Sequence, residues 1–151
     1  MPLAGQTILA ADFDGYAHDS DSTDETGFTS TTYTLGGTTV GTAFTAPTSG
    51  SVKVTWSARL ALGSDTNLSY VSAEVRTGSS VGSGTVVSAT SDDSALELGQ
   101  ATTTRIQASR ARVVTGLTAG STYNVSLWHR TTSADNATIY FREVLVEPLF
   151  T

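Results

Sequence analysis

The chain has 151 residues, a formal charge of −6 and no cysteine. That length fits one domain able to bury a sizeable core without staples, and the missing thiols exclude a disulfide framework, a Cys-ligated metal site and a cysteine nucleophile. Serine and threonine make up nearly a third of the residues, against one lysine and three prolines, a composition that favours strands over helices.

The charge is unevenly placed. Asp12, Asp14, Asp19, Asp21, Asp24 and Glu25 fall in the first twenty-five residues with no Lys or Arg, and from Thr26 onward eight acids balance eight bases. A neutral body behind an acidic arm argues against nucleic acid as a partner, because binding a phosphate backbone needs a basic footprint. The start MPLAGQTILAADF lacks the basic end and long apolar centre of a signal peptide. No apolar run approaches the roughly 18–20 residues that span a bilayer, so no membrane partner is expected.

Residues 1–26 show no sustained period and read as an acidic N-terminal arm, with 27–151 as the folded domain. The apolar start of the arm (Leu3, Ile8, Leu9, Phe13) runs into a polar stretch that prefers water, so it is either a solvated linker or an arm that docks on a neighbouring subunit. Asp19, Asp21, Asp24 and Glu25 resemble part of a calcium loop, but the turn glycine and the Glu at the twelfth loop position are misplaced, and no metal or other cofactor is expected.

Strands are expected at 31–35 and 41–45 around Gly36-Gly37-Thr38-Thr39, a plausible hairpin turn. After Pro47-Thr48-Ser49-Gly50 the strongest signal begins. Val52, Val54, Trp56, Ala58, Leu60 and Leu62 occupy every second position, which predicts a long strand with one buried face and Trp56 in the core. A turn at 63–67 leads to a strand at 68–76, with Val71, Ala73 and Val75 on one face and Tyr70, Ser72, Glu74 and Arg76 on the other. Residues 78–84, GSSVGSG, form a loop, and 85–89 and 95–98 read as short strands.

Residues 101–115 are β-like with a parity conflict: Ile106 shares its face with Arg110 and Arg112, so the strand breaks near Ala108 and Ser109 or those arginines face solvent. After the turn at 116–120, the strand at 122–131 puts Tyr123, Val125 and Leu127 on one face and Trp128 on the other. A turn at 132–137 precedes the last strand, 138–146, whose parity changes between Phe141 and Val144. A β-bulge at Arg142 and Glu143 accounts for that, as does a strand covered on both faces. About eight strands at this spacing predict an all-β fold, an antiparallel β-sandwich or jelly roll with an extended N-terminal arm.

Catalytic signatures are missing. His18 and His129 lie outside any nucleophile elbow or HExxH context, and the carboxylates Asp65, Glu74, Asp92, Asp93 and Glu97 sit in turns or on wet faces. No enzymatic activity is expected. Tyr70, Trp128 and Tyr140 each lie opposite the apolar set of their strand, as interface anchors or sugar platforms do.

Two stretches carry resemblances. The run VVTGLTAGSTYNV resembles the fibronectin type III pattern around its tyrosine corner. More broadly, MPLAGQTILAADF, the strand opening FTAPTSG and the ending FREVLVEPL resemble small C1q/TNF-like β-sandwich structural proteins of tailed bacteriophages that infect actinobacteria. That resemblance implies a virion location, as a minor tail or fibre component or a capsid decoration protein. It further implies other virion proteins as partners, assembly as a trimer, and aromatic residues such as Tyr70, Trp128 and Tyr140 at the axis. The alternative is a carbohydrate- or receptor-binding module that meets a host-surface glycan.

Overall fold

A computed structural model describes residues 16–62, 68–98, 102–132 and 137–149. Leu3, Ile8, Leu9 and Phe13 lie outside the described residues, as do the turn at 63–67, residues 133–136 and Phe150. The strands are β1 (Ala17–Asp21), β2 (Glu25–Phe28), β3 (Gly41–Thr45), β4 (Val52–Leu62), β5 (Ser69–Thr77), β6 (Val86–Ser88), β7 (Leu96–Leu98), β8 (Thr102–Val114), β9 (Thr122–Thr131) and β10 (Ala137–Pro148), with one 3-10 turn at Asp92–Ser94. They form two antiparallel sheets. In the first the order is β1-β10-β4-β8, with β2 also paired to β10; in the second it is β3-β9-β5-β6, with β7 also paired to β5. The chain is a β-sandwich, as its alternation and turn spacing predict.

The core follows from β4. Val52, Val54, Trp56, Ala58 and Leu60 are buried on one face and meet Val71, Ala73 and Val75 of β5, Val125 and Leu127 of β9, and Val144 and Val146 of β10. Trp56 is 1% exposed, and its indole N–H donates to the Val71 carbonyl at 3.1 Å. One side chain of the first sheet thus bonds the backbone of the second. The Tyr123 hydroxyl accepts from the Thr118 N–H at 3.0 Å, the bond that defines a tyrosine corner.

Several local expectations are corrected. No hairpin forms between 31–35 and 41–45. Both segments run along β9, Thr34 bridging His129 and β3 pairing from Thr45 to Gly41 with Thr122 to Ser126. Between them Gly36 has φ +75°, and a Cβ there would stand 2.4 Å from both Glu25 Oε1 and His129 Nε2. The glycine serves that close approach and not a hairpin turn. β8 keeps regular register with β4 from Ile106 to Val114, with no break at Ala108 and Ser109; Arg110, opposite Trp56, is exposed as expected, whereas Arg112, opposite Val54, turns inward. Arg112 is half-buried there because its guanidinium reaches across to the Ala73 and Ala89 carbonyls, at 2.8 and 3.0 Å. The bulge in β10 lies between Ile139 and Phe141, earlier than Arg142 and Glu143. That shift turns Arg142 into the core, 1% exposed.

The solvated-linker reading fails from Ala17 to Phe28. β1 and β2 lie end to end along the outer side of β10, Asp21 opposite Arg142 and Glu25 opposite Ile139. The inward residues of β1 alternate with exposed ones, but they include Asp19 and Asp21 where an apolar pattern is expected. Each carboxylate has a built partner. Arg142 donates to Asp21 Oδ2 and to Glu25 Oε2, both at 2.6 Å, and to the Thr38 carbonyl at 3.1 Å. Asp19 accepts the Gly41 N–H and Glu25 the Gly37 N–H, each at 2.9 Å. His129, fully buried, packs edge-on against Phe28 with centroids 4.3 Å apart, and its Nε2 lies 3.4 Å from Glu25 Oε2.

Burial pushes the His129 imidazole below its ordinary 6.5, the Glu25 carboxylate opposing and Arg142 adding to the shift. Burial raises Asp21, but hydrogen bonds from Thr23 and the Arg142 guanidinium outweigh it and hold the carboxyl below 3.8. Both shifts give stability the same sign. Between its folded and unfolded values each group binds more protons unfolded, so stability is full above the unfolded value and falls as pH drops.

Three outcomes are expected in urea melts. Trp56→Ala loses about 3–5 kcal/mol, and Trp56→Phe, which keeps most of the volume but not the bond to Val71, loses less. Arg142→Met loses about 3–5 kcal/mol because two carboxylates stay part-buried without a cation, and adding Asp21→Asn with Glu25→Gln restores part of it. Wild-type stability declines as pH falls below about 6.5 and again below about 3.8; in His129→Gln the first decline disappears.

Candidate functional site

Strand alternation puts Tyr70, Ser72, Glu74 and Arg76 of β5 beside Arg130, Trp128, Ser126 and Asn124 of β9, on the outer face of the second sheet. A wet face is expected there, yet Tyr70, Ser72, Glu74, Asn124 and Ser126 are buried. The chain between β5 and β7 folds back over them. Asn124 donates to the Gly78 and Ser83 carbonyls at 3.0 and 3.1 Å and accepts the Gly82 N–H at 3.1 Å. The Ser91 N–H reaches Ser72 Oγ at 3.3 Å. The loop GSSVGSG is thus pinned to the sheet by one asparagine.

Trp128 is half-buried at the margin of this cover. Its indole N–H donates to Ser126 Oγ at 2.9 Å, and the Arg76 guanidinium lies 5.3 Å from its ring centre while donating to Glu74 at 2.6 Å. Tyr70 is 7% exposed, with the Arg130 guanidinium 4.4 Å from its ring centre. Arg130 is held by a two-point bond to Asp92, and Asp92 also accepts the Tyr33 hydroxyl at 2.9 Å. Tyr140 lies on the other side of the sandwich, beneath Arg105 and Arg59, 4.0 and 6.0 Å from its ring centre. Tyr70 and Trp128 therefore share one face, and Tyr140 does not join them. Each ring is met by an arginine, a cation–π contact that the spacing of aromatics alone does not reveal.

The Arg130 bond, with burial opposing, holds the Asp92 carboxyl below 3.8. Burial first, then the Glu97 and Asp92 carboxylates, raises the Tyr70 phenol above 10, and burial with the Asp92 bond raises Tyr33 further.

Beside Tyr70 the surface opens into a cleft of about 530 Å³. The 3-10 turn, β7 and the edge strand β8 bring Asp92, Asp93, Leu96, Glu97 and Arg110 to its walls. Asp92, Asp93 and Glu97 are apparent in the sequence as turn and strand-margin acids, but nothing in their spacing says that they converge with Tyr70 and Arg110. Among the described residues no three His, Asp or Glu side chains are grouped to hold a metal ion.

No protein-family model matches the chain, and no curated protein matches it. Solved structures do. A chain of the T13 particle of infectious bursal disease virus matches with a TM-score of 0.60 at 14% identity, over 89% of this chain and 31% of that one. The structure of the Gt strain of that virus matches with a TM-score of 0.60 at 15% identity, over 89% of this chain and 33% of the other. This chain thus spans about a third of these two proteins, and the likeness establishes the sandwich fold that they share. A family 35 carbohydrate-binding module from Clostridium thermocellum matches more loosely, with a TM-score of 0.38 at 18% identity over 84% of this chain and 90% of the module, too distant to bear on function.

In an ultraviolet titration, Tyr33 and Tyr70 are expected to ionise above pH 10 in the native protein. Tyr70→Phe should remove one of these late phenols without changing the far-ultraviolet dichroism.

Proposed function

We propose that the protein is a non-enzymatic structural protein of a virion. The observation that carries this reading is the match of its sandwich, over 89% of its length, to about a third of a viral-particle protein. The sequence resemblance refines it to a tailed phage of actinobacteria, as a minor tail or fibre component or a capsid decoration protein, assembled with other virion proteins and with copies of itself as a trimer. The surface agrees with such a role. β8 is the last strand of its sheet, where Ile106 and Val113 are 40% and 55% exposed, while Val86 and Val87 on β6, at the end of the other sheet, are 42% and 40% exposed. Apolar side chains on strand edges invite pairing with another chain, and an assembly component has a use for them.

Mass spectrometry and gold-labelled antibody on particles purified from the virus that encodes the chain test this. The protein is expected in stoichiometric amount at one location, tail or capsid surface; its absence from purified particles overturns the reading. Light scattering on the isolated protein is expected to give three times the chain mass, with Val113→Glu and Ile106→Glu lowering it.

A further inference from the structure

Tyr70 presents its hydroxyl on the outer face. Its side chain is as covered as that of the core residue Tyr123, 7% exposed in both, and the Tyr123 hydroxyl is bonded within the fold. The Tyr70 hydroxyl has no hydrogen-bond partner among the described residues, and Tyr70 lines the 530 Å³ cleft. Its ring is already covered by Arg130, so the residue offers a polar tip and not a stacking face.

The polar groups that line the cleft divide into spent and unspent. Asp92 is spent, its oxygens taken by Arg130 and Tyr33. Asp93 and Glu97 are unspent, since neither carboxylate takes a hydrogen bond among the described residues, and Glu97 stands directly across from Tyr70 in the β5–β7 register. Arg110 gives one N–H to the Asp93 carbonyl at 2.7 Å and keeps its other donors. Leu96 supplies an apolar patch on the wall. The cleft therefore presents two free carboxylates as acceptors, a guanidinium as donor and a phenol that is either, in a volume suited to a small ligand.

We propose that this cleft binds a neutral saccharide by its hydroxyl groups. Vicinal hydroxyls each donate and accept, and so answer a carboxylate and a guanidinium side by side. Charge excludes the simpler alternatives. With Asp92 cancelled by Arg130, the free groups are two carboxylates and one guanidinium: an anion such as phosphate meets the carboxylates, and a cation meets Arg110. A ligand without charge meets neither penalty. This site is independent of the virion reading, because the isolated protein carries every residue that it needs.

The test is an amide-resolved NMR titration of the isolated full chain with glucose, galactose, mannose, N-acetylglucosamine and their disaccharides. At least one is expected to shift the amides of Tyr70, Asp92, Asp93, Glu97 and Arg110 saturably, with those of Tyr140 unmoved. Tyr70→Phe keeps the ring under Arg130 and removes only the hydroxyl; it and Glu97→Gln should each weaken binding about tenfold, the scale of one lost hydrogen bond. Trp128→Phe should leave affinity unchanged. Silence from every sugar overturns the proposal, as do shifts that survive both Tyr70→Phe and Glu97→Gln. If n-butylammonium, a mimic of a lysine side chain, moves these amides where no sugar does, the cleft takes a basic side chain and the saccharide assignment is wrong.

Discussion

A buried guanidinium with two carboxylates holds the edge of this sandwich. Arg142 is 1% exposed, and its side chain reaches Asp21 and Glu25 at 2.6 Å each. A lone cation in that place would cost several kcal/mol or more, so the fold must bring acids to it. It does so by laying β1 and β2 along β10. The consequence is an acidic segment that is part of the sheet and spends its charge inside, where the composition alone suggests a free arm. Thr38 is drawn in by the same arginine, Gly37 by Glu25 and Gly41 by Asp19, which fixes how the chain from 30 to 45 approaches β9.

The opposite edge uses the same device with the sign reversed. β1, at one end of the first sheet, points Asp19 and Asp21 inward; β8, at the other end, points Arg112 inward. Asp19 binds the backbone at the start of β3 and Arg112 binds the backbone of β5, so each edge strand is tied across to the second sheet. Midway between them Trp56 makes the corresponding tie from the core. Apolar residues such as Val113 on the outer face of β8 mark where contact with another chain is left open. The cleft beside Tyr70 is a product of this arrangement, formed where β8 with Arg110 meets the acidic turn between β6 and β7.

Periodic signals in the sequence are reliable where burial decides alone. The alternation from Val52 to Leu60 announces β4 and the place of Trp56, and the turn spacing announces the sandwich. Charged inward faces are where that logic ends. Asp19 and Asp21 alternate with exposed residues as an apolar strand would, but Asp21 answers Arg142, more than a hundred residues away, and Asp19 answers a backbone N–H at Gly41, so only the folded structure shows the match. Arg112 misleads for the same reason, because its bond to Ala73 is tertiary. The bulge at Tyr140 is visible as a change of parity, yet its position is set by which residue must face Asp21. Of the candidate site, Tyr70 is legible as an aromatic on the wrong face. That Arg130 covers its ring, and that Asp93, Glu97 and Arg110 line one cleft with it, comes from separate connections and has no local signature.

Residue-resolved amide hydrogen exchange tests the central claim, that the acidic segment is a strand pair clasped by Arg142. Amides of β1 and β2 that bond β10 should exchange as slowly as their β10 partners, and should lose that protection in Arg142→Met while β4 and β5 keep theirs. Exchange of residues 17–28 at the rate of an unstructured chain in the wild-type protein would contradict it.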